Sequence, residues 1–398
     1  MIDEHLTPSV RIERIDTARL ATYLPSDFRV AHGTDLRHRE HVLVRVTTGD
    51  GAEGFGEASP LTFFTGETAD SVQETVEQYL APMTVGTDPH QLAALHRAWN
   101  GAFPGHGAAK CALDLAIHDV IARRAGRSVA DLLGGVSNPR LPLYKAIGFG
   151  RPEQVVAEAE RLSALGIHTL KLKIGEGTRL DLAKLEALRD RFGDQIAIIL
   201  DGNGGYAAQE AVRFLRRAEP YDVDYIEQPV PGDDLEGLAF VRAHGGVPVM
   251  ADESVHTLRD AHRLIAAGAV DLLGIKLIKT GGLRPAAQIS ALAEANGVSC
   301  VVISPFDTQL GVAAAAHLAA TFPSPLASQG LGTFLVATDD ADRQLVVEDG
   351  ALLVPSGPGF GFTPDVGLFA RKEARGNGYE QAITIGSEDW TGTGSLEA

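Results

Sequence analysis

The chain has 398 residues, 44% of them hydrophobic, and its 35 Lys and Arg stand against 52 Asp and Glu for a formal net charge of −17. This balance opposes nonspecific binding to nucleic acid or an anionic membrane, yet it leaves room for a locally basic site that takes a small anionic molecule. The N-terminal stretch lacks a signal-peptide core and no apolar run reaches about 18 residues, so the expectation is a cytoplasmic protein without a membrane span.

From residue 10 to about 59 the pattern is strand-like, with two apolar-alternating stretches and a Gly49-Asp50-Gly51 turn, as in antiparallel pairing. The polar segment between them carries His32, His38 and His41. Their spacing fits no standard metal site and reads as a mobile loop. A second loop, 59–67, holds Phe63 and Phe64. Ser71 with Glu74 three residues on signals a capping box, and helices follow to about Leu133. His118 in the last of these reads as a packed helical histidine. Cys111 and Cys300 sit in apolar contexts as reduced core thiols. Strands followed by segregated helices make an α+β domain over 1–135.

After Leu141 strands and helices alternate. Expected strands lie at 143–148, 169–174, 196–201, 224–228, 247–252, 272–277 and 299–304, with a weak eighth near 326–330. The repeat averages roughly 25 residues, which suits a closed (β/α) barrel over 136–338 better than an open sheet. The segment 339–370 is irregular and β-like and is expected to return to the first domain. Residues 371–398 are rich in Gly, Glu and Thr and read as a surface or disordered tail.

The segment Thr169–Ile174 places Lys171 and Lys173 on one face of a strand that the repeat should bury on both sides. Two lysines inside a barrel need charged partners. Asp201, Glu227 and Asp252 supply them: they end three successive strands, 26 and 25 residues apart, on the C-terminal face where barrel active sites lie. Three converging carboxylates call for a cation, and hard oxygen ligands favour Mg²⁺, or Mn²⁺ in its place. Lys276 comes 24 residues after Asp252, so Lys173 and Lys276 occupy opposite sides of the barrel. Lys279, of opposite parity, is expected in the following loop. A metal-bound carboxylate with a lysine on each side suits removal and return of an α-proton through an enediolate. Lys171 would serve as the cation that lowers the proton affinity of Lys173. A Gly-Gly turn in KTGGLRPA offers a weak anion site at a helix N-terminus. No serine-hydrolase elbow or Walker loop is present.

At these residues the sequence resembles the enolase superfamily and, within it, the muconate lactonizing enzyme group. The KLK at 171–173, the carboxylate trio, Asp252-Glu253-Ser254 and IKLIKTGG around Lys276 carry the resemblance, which spans about 10–370. It implies an α/β fold: a modified (β/α)8 TIM-type barrel with an N-terminal α+β capping domain, in a homo-oligomer. It also implies that cap loops, here 21–36 and 59–67 with Phe63 and Phe64, cover the site and select the substrate. Asn203 and Glu253 would stand beside the metal ligands. GEASPLTFFTGET looks like the dipeptide epimerase branch, but the Asp-x-Asp pair of that branch is absent from ASQGLGTFL. Gln329 stands where muconate cycloisomerases place a Glu, and Asp307 where an acid often follows strand seven. The expected activity is that of a Mg²⁺-dependent racemase or epimerase of an N-substituted amino acid or dipeptide-like carboxylate. The alternatives are a muconate-type cycloisomerase, an acid-sugar or hydroxy-amino-acid dehydratase, and a non-catalytic metal-binding scaffold.

Overall fold

Alternating apolar and polar residues build the first sheet. In the computed structural model, which describes residues 10–23, 38–323, 328–332, 344–369 and 383–385, β1 (Ile12–Tyr23) pairs antiparallel with β2 (His38–Thr48). β2 turns through Gly51 into β3 (Glu53–Ala58). His38 and His41 therefore belong to a strand, whereas His32 and most of the 21–36 loop lie outside the described residues. So does most of the 371–398 tail, apart from a strand Ile383–Ile385 parallel to β1. The capping box sits three residues earlier than expected. Thr68 accepts from the Ser71 amide at 3.1 Å, and Ser71 accepts from the Thr68 amide at 2.9 Å. A box closes at the third helical residue, and the helix starts at Ala69.

The helix Gly107–Ala125 crosses β3 so closely that only glycine fits beneath it. A Cβ on Gly56 would stand 2.0 Å from the Ala112 carbonyl oxygen. Nearly every side chain of its first four turns is buried, which matches a helix enclosed on all sides.

A short β4 (Arg140–Pro142) leads into seven parallel strands: β5 (Tyr144–Ile147), β6 (Thr169–Lys173), β7 (Ala197–Asp201), β8 (Tyr225–Glu227), β9 (Val249–Ala251), β10 (Leu272–Ile275) and β11 (Ser299–Val302). Each pairs with the next in sequence. Of the eighth unit the described residues include Gln329 and Gly330, which bridge to Leu143 and Ile303 and thereby join the two edges of the sheet. Tyr144, Ile199, Tyr225, Met250, Leu272, Val301 and Ile303 form a separate apolar cluster. By strand register these are the inward-facing residues, and they plug the barrel below its charged upper layer. Among the described residues no helix is long and apolar enough to cross a membrane.

After the barrel, β12 (Val347–Glu348) pairs with β13 (Ala351–Leu353), which pairs with β4. The chain then returns to the first sheet and its helix, where Asp119 accepts from the Phe55 and Phe360 amides at 2.9 Å each. The cap is fastened to the barrel by carboxylates at helix N-termini. Glu57 on β3 accepts from the Thr308 and Gly311 amides at 2.8 and 2.9 Å, opening the helix Gln309–Ala319. Asp114 accepts from the Leu283 amide at 2.6 Å, opening the helix Leu283–Ala295. The anion site read in KTGGLRPA is thus filled by the protein's own Asp114.

Asp114 also accepts from His96 at 2.7 Å and pairs with His118 at 3.2 Å. Burial disfavours charge on His118, but Asp114 outweighs it and raises the imidazole above its ordinary 6.5. A raised value contributes stability below 6.5 that is lost as pH rises through the folded-state value. Unfolding by urea at pH 6, 7 and 8 should therefore show stability falling as pH rises. Asp114→Asn should cost about 3–5 kcal/mol and flatten that slope. A variant with the parental slope would exclude the pair as its source.

Candidate functional site

Strand register brings the charged residues together. Lys173 is paired with Asp201, and Asp201 with Glu227, so all three point into the barrel along with Lys171. Asp252 follows β9 by one residue, and Lys276 follows β10 by one. Asp201, Glu227 and Asp252 are at most 1% exposed, and Lys173 and Lys276 are 9% and 3% exposed.

Each carboxylate is answered by lysines. Lys171 Nζ lies 2.8 Å from Asp201 Oδ2 and 3.0 Å from both Glu227 oxygens. Lys173 Nζ donates to Asp201 Oδ2 at 2.7 Å and to Asn203 Oδ1. Asn203 Nδ2 in turn donates to Glu253 Oε1 at 3.0 Å. Lys276 Nζ donates to Asp252 Oδ2. Lys279, expected in a loop, is carried by the short helix Leu277–Thr280 back onto Asp252, where it donates to Oδ1 at 2.6 Å and to the backbone carbonyl. Parity alone does not find it, because a helical turn begins directly after the strand. Gln228, also unforeseen, accepts from the Asp252 amide at 2.9 Å and holds the two loops together. Asn203 and Gln228 both take positive φ, 40° and 35°, a backbone strain concentrated beside the carboxylates.

Above this layer lies a cleft lined by Lys171, Lys173, Lys276 and Asn203 together with Phe63, Phe64, Ile303, Pro305 and Phe306. Tyr144 also lines it, and its buried hydroxyl has no hydrogen-bond partner. The 59–67 segment is anchored at both ends. Arg39 donates to the Pro60 carbonyl at 2.6 Å, and Glu67 accepts from the Ala108 and Ala109 amides at 2.9 and 3.1 Å. Asp307 and Gln329, candidates to stand beside the metal ligands or against the substrate, lie away from the cleft lining. Asp307 faces the cap, where burial and then Glu57 push its carboxyl up to about 7. Gln329 is fully buried in the barrel wall, its Oε1 accepting from the Val302 amide at 2.7 Å. Neither is among the residues lining the cleft.

Burial opposes charge throughout the site, and the pairings decide the outcome. Lys171 stays well above the ordinary lysine value because Asp201 and Glu227 outweigh its desolvation. Asp201 is held well below the carboxylate range by Lys171 and Lys173, and Asp252 by Lys276 and Lys279, against burial in each case. Glu227 is the exception: burial and then Asp201 push it up to about 8. The trio thus shares a proton near neutral pH, lodged chiefly on Glu227. Among the described residues no three such groups converge on a point, because each carboxylate is turned toward a lysine. The donor set still suits a hard divalent cation. It is all oxygen, and Glu253 Oε2 is buried beside it without a partner.

Residues 15–134 match the mandelate racemase / muconate lactonizing enzyme N-terminal domain, and residues 154–367 match the enolase C-terminal domain-like family. An L-Ala-D/L-Glu epimerase from Bacillus subtilis strain 168 is 34% identical over 367 residues, covering 92% of this chain and all of the relative. A chloromuconate cycloisomerase from Pseudomonas putida is 30% identical, covering 89% of this chain and 97% of that one. A dipeptide epimerase from Enterococcus faecalis V583, solved with Mg and the dipeptide L-Leu-L-Tyr, superposes with a TM-score of 0.83 at 29% identity, over 88% of this chain and 99% of its own.

The proton held by Glu227 is open to titration calorimetry. Below about 8 the group is protonated, so Mg²⁺ added to metal-free protein at pH 7 should release roughly one proton. The apparent binding enthalpy should then vary with the ionisation enthalpy of the buffer, and Glu227→Gln should remove that dependence. A buffer-independent enthalpy in the parent protein would overturn the shared-proton assignment.

Proposed function

The chain belongs to the muconate lactonizing enzyme group of the enolase superfamily, an isomerase of the racemase, epimerase or cycloisomerase kind, and from that premise we propose that it is a Mg²⁺-dependent racemase or epimerase acting at the α-carbon of an N-substituted amino acid or dipeptide-like carboxylate. One observation carries this reading: Lys173 and Lys276, from the second and sixth strand positions, reach the same buried carboxylate trio from opposite sides of the barrel. A base on each face lets one lysine take the α-proton while the other returns a proton to the opposite face.

Asp201, Glu227 and Asp252 would hold the metal, which when bound supplies a Lewis acid for the substrate carboxylate. Lys171 keeps its charge and shares Asp201 Oδ2 with Lys173, so it adds a fixed positive charge where the carboxylate becomes more electron-rich. Asn203 aims Lys173 and ties it to Glu253. The aromatic side of the cleft receives the distal part of the substrate. Among the described residues the charged groups lining the cleft are lysines, which suits an uncharged N-substituent better than a free α-ammonium.

Lys173→Ala and Lys276→Ala should each lower kcat by about 10²–10⁴-fold. In D2O each variant should still exchange the α-proton of one enantiomer, and the two should differ in which. Full racemisation by Lys276→Ala would exclude the two-base scheme and favour a one-base cyclisation.

Asp201→Asn, Glu227→Gln and Asp252→Asn should each weaken Mg²⁺ binding in calorimetry while the circular dichroism spectrum stays parental. Full activity in the presence of a chelator would overturn the metal requirement.

A further inference from the structure

The two proposed bases are held in place by different parts of the protein. Among the described residues, Lys173 is aimed from within the barrel, by Asp201 and Asn203. Lys276 has Asp252 on one side. On its other side stands the ring of Phe64, with the ammonium 3.7 Å from the ring centroid. Phe64 comes from the cap, on the four-residue helix Thr62–Thr65 that ends at Gly66 with φ 72°. That helix rests against Leu277–Thr280, the turn that follows Lys276. Its placement is secured from several directions: Leu61 is fully buried, Arg39 holds the Pro60 carbonyl, and Glu67 is fixed on the N-terminus of Gly107–Ala125.

We propose that Phe64 is a positioning residue for Lys276, its ring face fixing the amine of one base but not of the other. This rests on the two-base reading above. An ammonium over an aromatic face is attracted by the ring quadrupole, and the attraction strengthens where water is excluded. Lys276 is 3% exposed. The ring also blocks the amine from turning toward the cap, leaving its reach directed into the cleft. Phe63 packs against Phe64 with centroids 4.6 Å apart, so it supports the ring. The cap therefore acts on one half of the reaction more than on the other, and the face served by Lys276 depends on a residue of the 59–67 segment.

The test compares the parent enzyme with Phe64→Leu and Phe64→Tyr. Exchange of the α-proton in D2O is followed for each enantiomer, the Lys276 face being the one that Lys276→Ala silences. Phe64→Leu should lower the ratio of Lys276-face to Lys173-face exchange by about tenfold, and Phe64→Tyr should restore it. A weaker fit to the substrate acts on both faces and leaves the ratio unmoved. The contact is checked without turnover in protein carrying 13C-labelled lysine, with Lys276 assigned by its loss in Lys276→Arg. Its ε-methylene protons should be shifted upfield by the ring and return to the ordinary position in Phe64→Leu. An unchanged face ratio, or a Lys276 resonance indifferent to Phe64→Leu, overturns the proposal. If the parent exchanges neither enantiomer, the two-base reaction fails and this role fails with it, while the upfield shift still reports the contact itself.

Discussion

A charge taken out of water must be answered by another charge or by hydrogen bonds, and this cost governs most of the structure. The upper barrel buries Asp201, Glu227 and Asp252 beside Lys171, Lys173, Lys276 and Lys279. Removing any one would leave its partner charged and dry. The same rule fastens the cap. Glu57 and Asp114 are buried carboxylates of the cap, and each lies on backbone amides that open a barrel helix. These amides carry partial positive charge and have no partner within their own helices. The docking of cap on barrel is thus directional, unlike apolar contact alone.

Charge and apolar packing are stacked along the barrel axis. Below, two tyrosines and five aliphatic side chains fill the interior. Above, the lysines and carboxylates form one layer. Gly330 and Gly274 keep the upper wall thin: a Cβ at Gly330 would strike the Tyr144 hydroxyl at 2.4 Å. The positive φ of Asn203 and Gln228 lies where strands give way to loops in this layer. Both conformations are held by side-chain hydrogen bonds across neighbouring loops.

Cap and barrel divide the work. Among the described residues, the barrel supplies the charged groups of the site, fixed on adjacent strands and therefore at strand spacing. The cap supplies Phe63 and Phe64 from a short helix held at both ends. Changing the aromatic side leaves the charge balance intact, whereas changing a lysine or carboxylate disturbs all its neighbours. The same acid/base layer can therefore serve different distal groups, in keeping with a family whose members include both epimerases and cycloisomerases.

Much of this was legible in the chain. Period-two alternation placed Lys171 and Lys173 on one face, and a repeat near 25 residues put Asp201, Glu227, Asp252 and Lys276 at successive strand ends. Those signals are local, and side-chain alternation fixes them before any strand meets its neighbour. What lay beyond reach depended on partners far away in sequence. Lys279 turns inward because a helical turn starts immediately after β10. Asp307 faces the cap, and Gln329 lies in the wall that closes the barrel, since residues 329–330 must bridge both edges of the sheet. The anion at Leu283 proved to be Asp114, 169 residues earlier. Local pattern determined which residues share a face. Only the packing of cap on barrel, and the closing of the sheet, decided what each of those faces would meet.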